Sequence, residues 1–144
     1  MPHTTVIVEQ TFKVPATAVW KALTNKDEMK KWYFNIEDFN LERGSQFQFS
    51  AGTAEKQYVH LCEIVEVVPE KKLVYTWKYD GFAGSSLLSF KLAEQDNKTY
   101  LKLTHTDLDT FAENGSDFAI TSFNDGWNHI INNGLKNYLE STSN

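Results

Sequence analysis

The sequence predicts an α+β fold: a curved antiparallel sheet wrapped around a long C-terminal helix, with two short helices after the first strand. Three observations predict it. Strand-like and helix-like segments are segregated along the chain, which is the order of α+β rather than alternating α/β proteins. Clean apolar–polar alternation runs through much of residues 46–106. The segment from Gly126 to Glu140 is amphipathic at helical spacing, carries Trp127 near its start, and comes after all the strands. A single long helix that follows an antiparallel sheet is most simply gripped by it. The space between helix and sheet then suits a small apolar ligand.

The elements follow in order. Thr5 to Phe12 is β-branched and strand-like. Val14-Pro15-Ala16 turns the chain, and Pro15 suits the first turn of a helix in which Ala16, Val19, Trp20 and Leu23 share a face. Thr24-Asn25 breaks that helix. Asp27 to Trp32 forms a second, with acids early and bases late, as the helix dipole prefers. From about Ile36 to Thr106 the pattern is strand and turn, about six strands in all. The clearest are Gln46–Ser50, Gln57–Val68, Leu73–Tyr79, Ser85–Leu92 and Thr99–Thr106, the last two forming a hairpin across Glu94–Lys98. A loop from Asp107 to Ser116 leads into the last helix, from about Asp117 to Ser141.

With 144 residues the chain makes one domain. Its hydrophobic share of 41% and charged share of 23% are those of a globular protein rather than a disordered one. A net charge of −5 and a single arginine, Arg43, exclude nucleic acid and anionic membrane surfaces as expected partners. No apolar run is long enough to span a membrane, and the N-terminus lacks the pattern of a signal peptide. The lone Cys62 cannot form an internal disulfide, so a cytoplasmic protein is expected. No phosphate loop, nucleophile elbow or metal-ligand spacing is present; His3, His60, His105 and His129 are scattered. Neither a cofactor nor a metal is expected. Aromatic residues reach 14%, four of them Trp, enough to fill a core and to line a pocket.

Alternation places Tyr58, His60, Cys62 and Ile64 on one face of a strand. That mixture fits an apolar pocket with a few polar anchors, or a partly solvated sheet face. Cys62 reads as a small buried filler. Leu101 and Leu103 carry His105 inward, where it is either a hydrogen-bonded core residue or a base. His129 is turned away from Trp127 and is expected to be exposed. On the last helix Phe123, Trp127, Ile130, Ile131, Gly134 and Tyr138 form the inner stripe. Gly134 there costs about 1 kcal/mol against Ala. It either leaves room for a ligand or permits close packing, and close packing is the favoured of the two.

The ordered set Val14-Pro-Ala-x-x-Val-Trp20, Thr24-Asn25, Lys31-Trp-Tyr-Phe34, Glu66-Val-Val-Pro-Glu-Lys-Lys-Leu-Val-Tyr-Thr-Trp77, Leu101-x-Leu-Thr-His105, Gly126-Trp127 and Tyr138-Leu-Glu140 resembles the START-like (SRPBCC) superfamily. Within it the chain is similar to the branch named after the activator of heat-shock protein 90 ATPase homologue. The resemblance implies a helix-grip fold around an apolar cavity. It does not imply one chemistry, because members include lipid, polyketide and hormone binders, cyclases, dehydratases and co-chaperone domains.

The expected function is therefore the binding of a small hydrophobic or aromatic molecule. Trp32, Phe49, Tyr58, Cys62, Trp77, Phe123, Trp127, Ile131 and Gly134 are the candidate lining, with His60, Tyr75 and His105 as polar contacts. The alternatives are an interaction protein that modulates a chaperone ATPase and a cyclase or dehydratase. The family's activators carry a separate N-terminal chaperone-binding domain, for which 144 residues leave no room. An enzyme would show a carboxylate beside His60 or His105.

Overall fold

Alternating inward and outward side chains shape six strands, β1 (Val6–Phe12), β2 (Gln46–Gly52), β3 (Gln57–Val68), β4 (Lys72–Tyr79), β5 (Ser86–Gln95) and β6 (Lys98–Thr106). A computed structural model of the chain describes residues 5–33, 36, 39–52, 57–114 and 120–142. Every neighbouring pair is antiparallel and the strand order is β1-β6-β5-β4-β3-β2. Among the described residues five strands follow the short helices, where about six are expected, and residues 36 and 39–45 form no strand. Instead Gly44 N–H donates to the Ile64 carbonyl at 2.7 Å and Phe39 packs edge-on to Phe47.

The turns obey local backbone chemistry. Asp96 and Asn97 both have positive φ, 55° and 61°, the signature of the tight hairpin turn whose twist matches its strands. The β5–β6 hairpin is consequently longer and its turn shorter than the residue pattern predicts. Gly84, at φ 103°, lies so close to Thr110 and Phe111 that a Cβ would fall 2.5 Å from the Thr110 carbonyl. That approach ties the short 3-10 helix Leu108–Asn114 to the start of β5, helped by Thr110 Oγ1 bonding to both Ser85 N and Ser85 O.

Between β1 and β2 lie α1 (Ala16–Thr24) and α2 (Lys26–Trp32). The Glu94 carboxylate from β5 accepts from Ala16 N–H at 2.6 Å, placing an anion at the N-terminus of α1. Asn25 ends α1 and caps α2 by accepting from Asp27 and Glu28 N–H.

The C-terminal helix is α3 (Ile120–His129), a π-helical stretch (Ile130–Leu135) and α4 (Lys136–Thr142), continuous through helical backbone at His129 and Lys136. Its expected start at Asp117 lies outside the described residues. The buried stripe is Trp127, Ile131, Leu135 and Leu139, whereas Ile130, Gly134 and Tyr138 are half-buried. An α-helix takes 3.6 residues per turn, so steps of four would drift off one face. The wider i→i+5 turns absorb the extra residue and keep the stripe under Trp127. No helix among the described residues is long and apolar enough to cross a membrane.

Gly134 sits in that wide stretch, and a Cβ there would meet the Trp32 carbonyl oxygen at 3.2 Å. The glycine permits a close approach of α2 and does not leave open space. Gly134→Leu should therefore lower stability by roughly 1–2 kcal/mol in urea denaturation, the overpacking cost outweighing the gain in helix propensity. A raised unfolding midpoint would show that the two backbones are not in contact.

Candidate functional site

Where the sheet meets the C-terminal helix, aromatic rings from five elements converge. β2 supplies Phe49, directly opposite His60 of β3, and the two rings stack at 4.5 Å within 9° of parallel. Trp77 of β4 stands edge-on to both, at 5.7 Å from Phe49 and 4.9 Å from His60. Trp127 comes down from the helix to 5.3 Å from Trp77. Tyr33, one residue past α2, closes the group by stacking on Trp127 at 6.2 Å and lying 6.3 Å from Phe49. Phe123 and Phe111 continue the wall beyond His105.

The polar groups in this wall form defined chains. The Trp127 indole N–H can only donate, and it points at His105 Nδ1 at 3.0 Å. Nδ1 must therefore be bare, so the ring proton is on Nε2 and is donated to Ser86 Oγ at 2.7 Å. Ser86 in turn donates to the Trp77 carbonyl at 2.8 Å. Strands β4, β5 and β6 are thus joined to the helix through one neutral imidazole. Burial pushes His105 down to about 3. Charging the ring would also place two N–H donors face to face at Trp127.

His60 lies in the same interior, where burial lowers it to about 4 against the opposing effect of its backbone hydrogen bonds. Its Nδ1 donates to the Tyr58 carbonyl at 3.0 Å. Tyr33 and Tyr75 share a hydroxyl–hydroxyl bond of 2.8 Å, and burial raises both phenols well above their ordinary value. Trp77 Nε1 donates to Tyr79 Oη at 2.8 Å. Burial also raises the Cys62 thiol, which keeps it protonated and unreactive.

The residues singled out in the sequence are distributed as follows. Phe49, His60, Trp77, Phe123 and Trp127 come together in the wall, with Tyr58 at its margin against Tyr79 and Phe82. Tyr75 reaches it through Tyr33. Cys62 and Ile131 are buried filler, and Trp32 donates to the Ala22 carbonyl at 2.9 Å and stacks on Tyr33. His105 has both nitrogens engaged within the fold, so it is a core residue rather than a base or a ligand contact. Gly134 faces the α2 backbone. Tyr33, Tyr79 and Ser86 were not anticipated: Tyr33 lies outside any periodic segment, and a small inward serine carries no signal until its partner is known. His129 is exposed as expected, and His3 lies outside the described residues. His105 bonds to Ser86 and Trp127, and His60 to the backbone of Tyr58 and Phe49; among the described residues no group of three or more His, Cys, Asp or Glu could hold a metal. An open groove of about 550 Å³ lies on the other face of the sheet, along Gln46, Gln48, Leu61, Glu63, Thr76 and Lys78, apart from the aromatic wall.

A family model described as "Activator of Hsp90 ATPase homolog 1-like protein" matches residues 13–140. Among solved structures the chain is similar to protein MLL2253 from Mesorhizobium loti, with 26% identity and a TM-score of 0.77 over 96% of this chain and 98% of that one. It is also similar to the Aha1 dimer from Colwellia psychrerythraea (22% identity, TM-score 0.70, 94% and 96% covered). A third likeness is to CalU16 from Micromonospora echinospora (21% identity, TM-score 0.73, 94% and 75% covered). No curated protein sequence matches it.

The buried imidazoles set a pH dependence. Both native values lie below the ordinary value of about 6.5, so below that pH the unfolded chain binds protons that the native state refuses. Stability should be intact above pH about 6.5 and fall as pH drops toward the native values. The loss in urea denaturation should reach up to roughly 4 kcal/mol for the pair between about pH 7.5 and 5. His105→Gln should remove about half of this dependence. A flat profile in the parent would mean that His105 is charged or exposed.

Proposed function

The chain belongs to the activator of Hsp90 ATPase homologue 1-like family, and from that premise we propose that it binds a small apolar or aromatic molecule between its sheet and its C-terminal helix. The observation that carries the reading is the wall of Tyr33, Phe49, His60, Trp77 and Trp127, five rings from β2, β3, β4, the helix and the residue after α2. The rings are buried against one another, and a guest that parts them would meet flat faces at several angles for stacking and edge contacts. His60 stays neutral at physiological pH and belongs to the wall itself, stacked on Phe49 and edge-on to Trp77. The adjoining π-helical stretch supports the same reading, because such wide turns concentrate at functional sites. Binding is favoured over catalysis because both histidines are held neutral by burial and their described partners are not carboxylates.

Titration with naphthol, a flat aromatic probe, should change the tryptophan emission saturably. Trp77→Phe should diminish that change, leaving the share that comes from Trp127, whereas Trp20→Phe, on α1, should leave it in place. Mass spectrometry of the organic extract of the purified protein should then show an apolar compound in stoichiometric amount. A response left undiminished by Trp77→Phe, or no saturable response together with an empty extract, would overturn the proposal.

A further inference from the structure

The outer face of the sheet contains an arrangement that folding alone does not favour. Strand register sets Lys72 directly opposite Lys91, and Lys91 directly opposite Lys102. Alternation turns all three outward, since their neighbours Leu73, Phe90, Leu92, Leu101 and Leu103 are buried in the core. Like charges placed directly opposite destabilise a sheet. The row stands in a protein of net charge −5. Its ends are partly compensated: Lys72 pairs with Glu66 at 3.2 Å, and Glu9 faces Lys102, although the Glu9 carboxylate also accepts from the Tyr100 hydroxyl. Lys91, in the middle, is exposed and forms no ion pair among the described residues.

The next outward row is uncharged, running from exposed Ile7 through half-buried Thr104 and Ser89 to Val74, which is only 4% exposed. Beyond it lies Leu87, and Ile7 is 50% exposed, the most exposed large aliphatic residue described. A basic row beside an apolar and hydroxyl row is the complement of an amphipathic acidic surface. Neighbouring strands are about 4.8 Å apart, so the three lysine positions span about 10 Å. A helix rises 1.5 Å per residue, which puts positions i, i+4 and i+7 within about the same span. The adjacent outward row lies about 7 Å away along the strands, inside the full width of about 10–12 Å of a helix with its side chains.

We propose that this face of β1, β6, β5 and β4 docks an acidic amphipathic helix of a partner protein. Carboxylates at i, i+4 and i+7 would lie across the strands on Lys72, Lys91 and Lys102, with the apolar edge on Ile7 and the hydroxyl row beside it. Nucleic acid and anionic membrane are the other polyanions that a lysine row could meet. The row is short, three lysines across about 10 Å, which matches one helix face and not the extended charge of a duplex or a bilayer.

The test uses the full chain and a synthetic helical peptide with Glu at i, i+4 and i+7 and Leu along the neighbouring edge. The peptide should bind with salt-sensitive affinity and shift amide NMR signals of β4, β5 and β6. Lys91→Glu should weaken binding at least tenfold, and Lys91→Ala should weaken it less. Lys91→Glu should also raise the thermal midpoint, because it turns a like-charge row into an alternating one. Lack of peptide binding, binding indifferent to Lys91→Glu, shifts confined to other elements, or a Lys91→Glu protein no more stable than the parent would each overturn the proposal. So would capture by phosphatidylserine vesicles or duplex DNA in preference to the peptide.

Discussion

The grip of sheet on helix depends on one neutral imidazole. His105 accepts from Trp127 on the helix and donates to Ser86 on β5, which donates onward to the carbonyl of Trp77 on β4. Three polar groups that would each be costly to bury alone satisfy one another. The direction of every proton follows from the indole, which cannot accept. Because the ring must stay neutral, the same contact makes the position of the helix sensitive to acid. It also fixes Trp77 and Trp127 at the separation that the aromatic wall requires.

The second constraint is the wide helical stretch at Ile130–Leu135. It sets Leu135 and Leu139 beneath Trp127 and Ile131 on a single stripe and brings Gly134 against the end of α2. On the outer side of the same helix, Tyr138 donates to Glu28 of α2 and Asn132 accepts from Gln10 of β1. Lys136 reaches the Thr11 carbonyl and Glu140. The helix is held along its length by β1 on one side and α2 on the other. The aromatic wall remains the surface it shares with the middle of the sheet.

Much of this is legible in the residues. Strands alternate with period two, and burial on one face enforces that alternation, so Gln57–Val68 matches its expected bounds and the others differ by a few residues. Leu101 and Leu103 point His105 inward, but only its bonds to Ser86 and Trp127 distinguish a core group from a base or a ligand contact. The helix stripe is harder to read because a period of 3.6 selects Ile130, Gly134 and Tyr138, and the π-helical stretch selects Leu135 and Leu139 in their place. Tyr33 follows the end of α2 in a non-helical conformation, φ −121° and ψ −111°, where no period operates. Ser86 becomes informative only through a register that pairs β4 with β5 and β5 with β6. The lysine row is hidden for the same reason, since Lys72, Lys91 and Lys102 become neighbours only once three strands are paired.

The imidazole of His105 itself offers the most direct test. Long-range proton–nitrogen NMR spectra of nitrogen-labelled histidine distinguish a bare Nδ1 from a protonated one. The structure predicts a proton on Nε2 and a bare Nδ1, unchanged from neutral pH down to about pH 5. A proton on Nδ1, or a ring that titrates near about 6.5, would contradict the account, because Trp127 could then no longer be held to the sheet through His105.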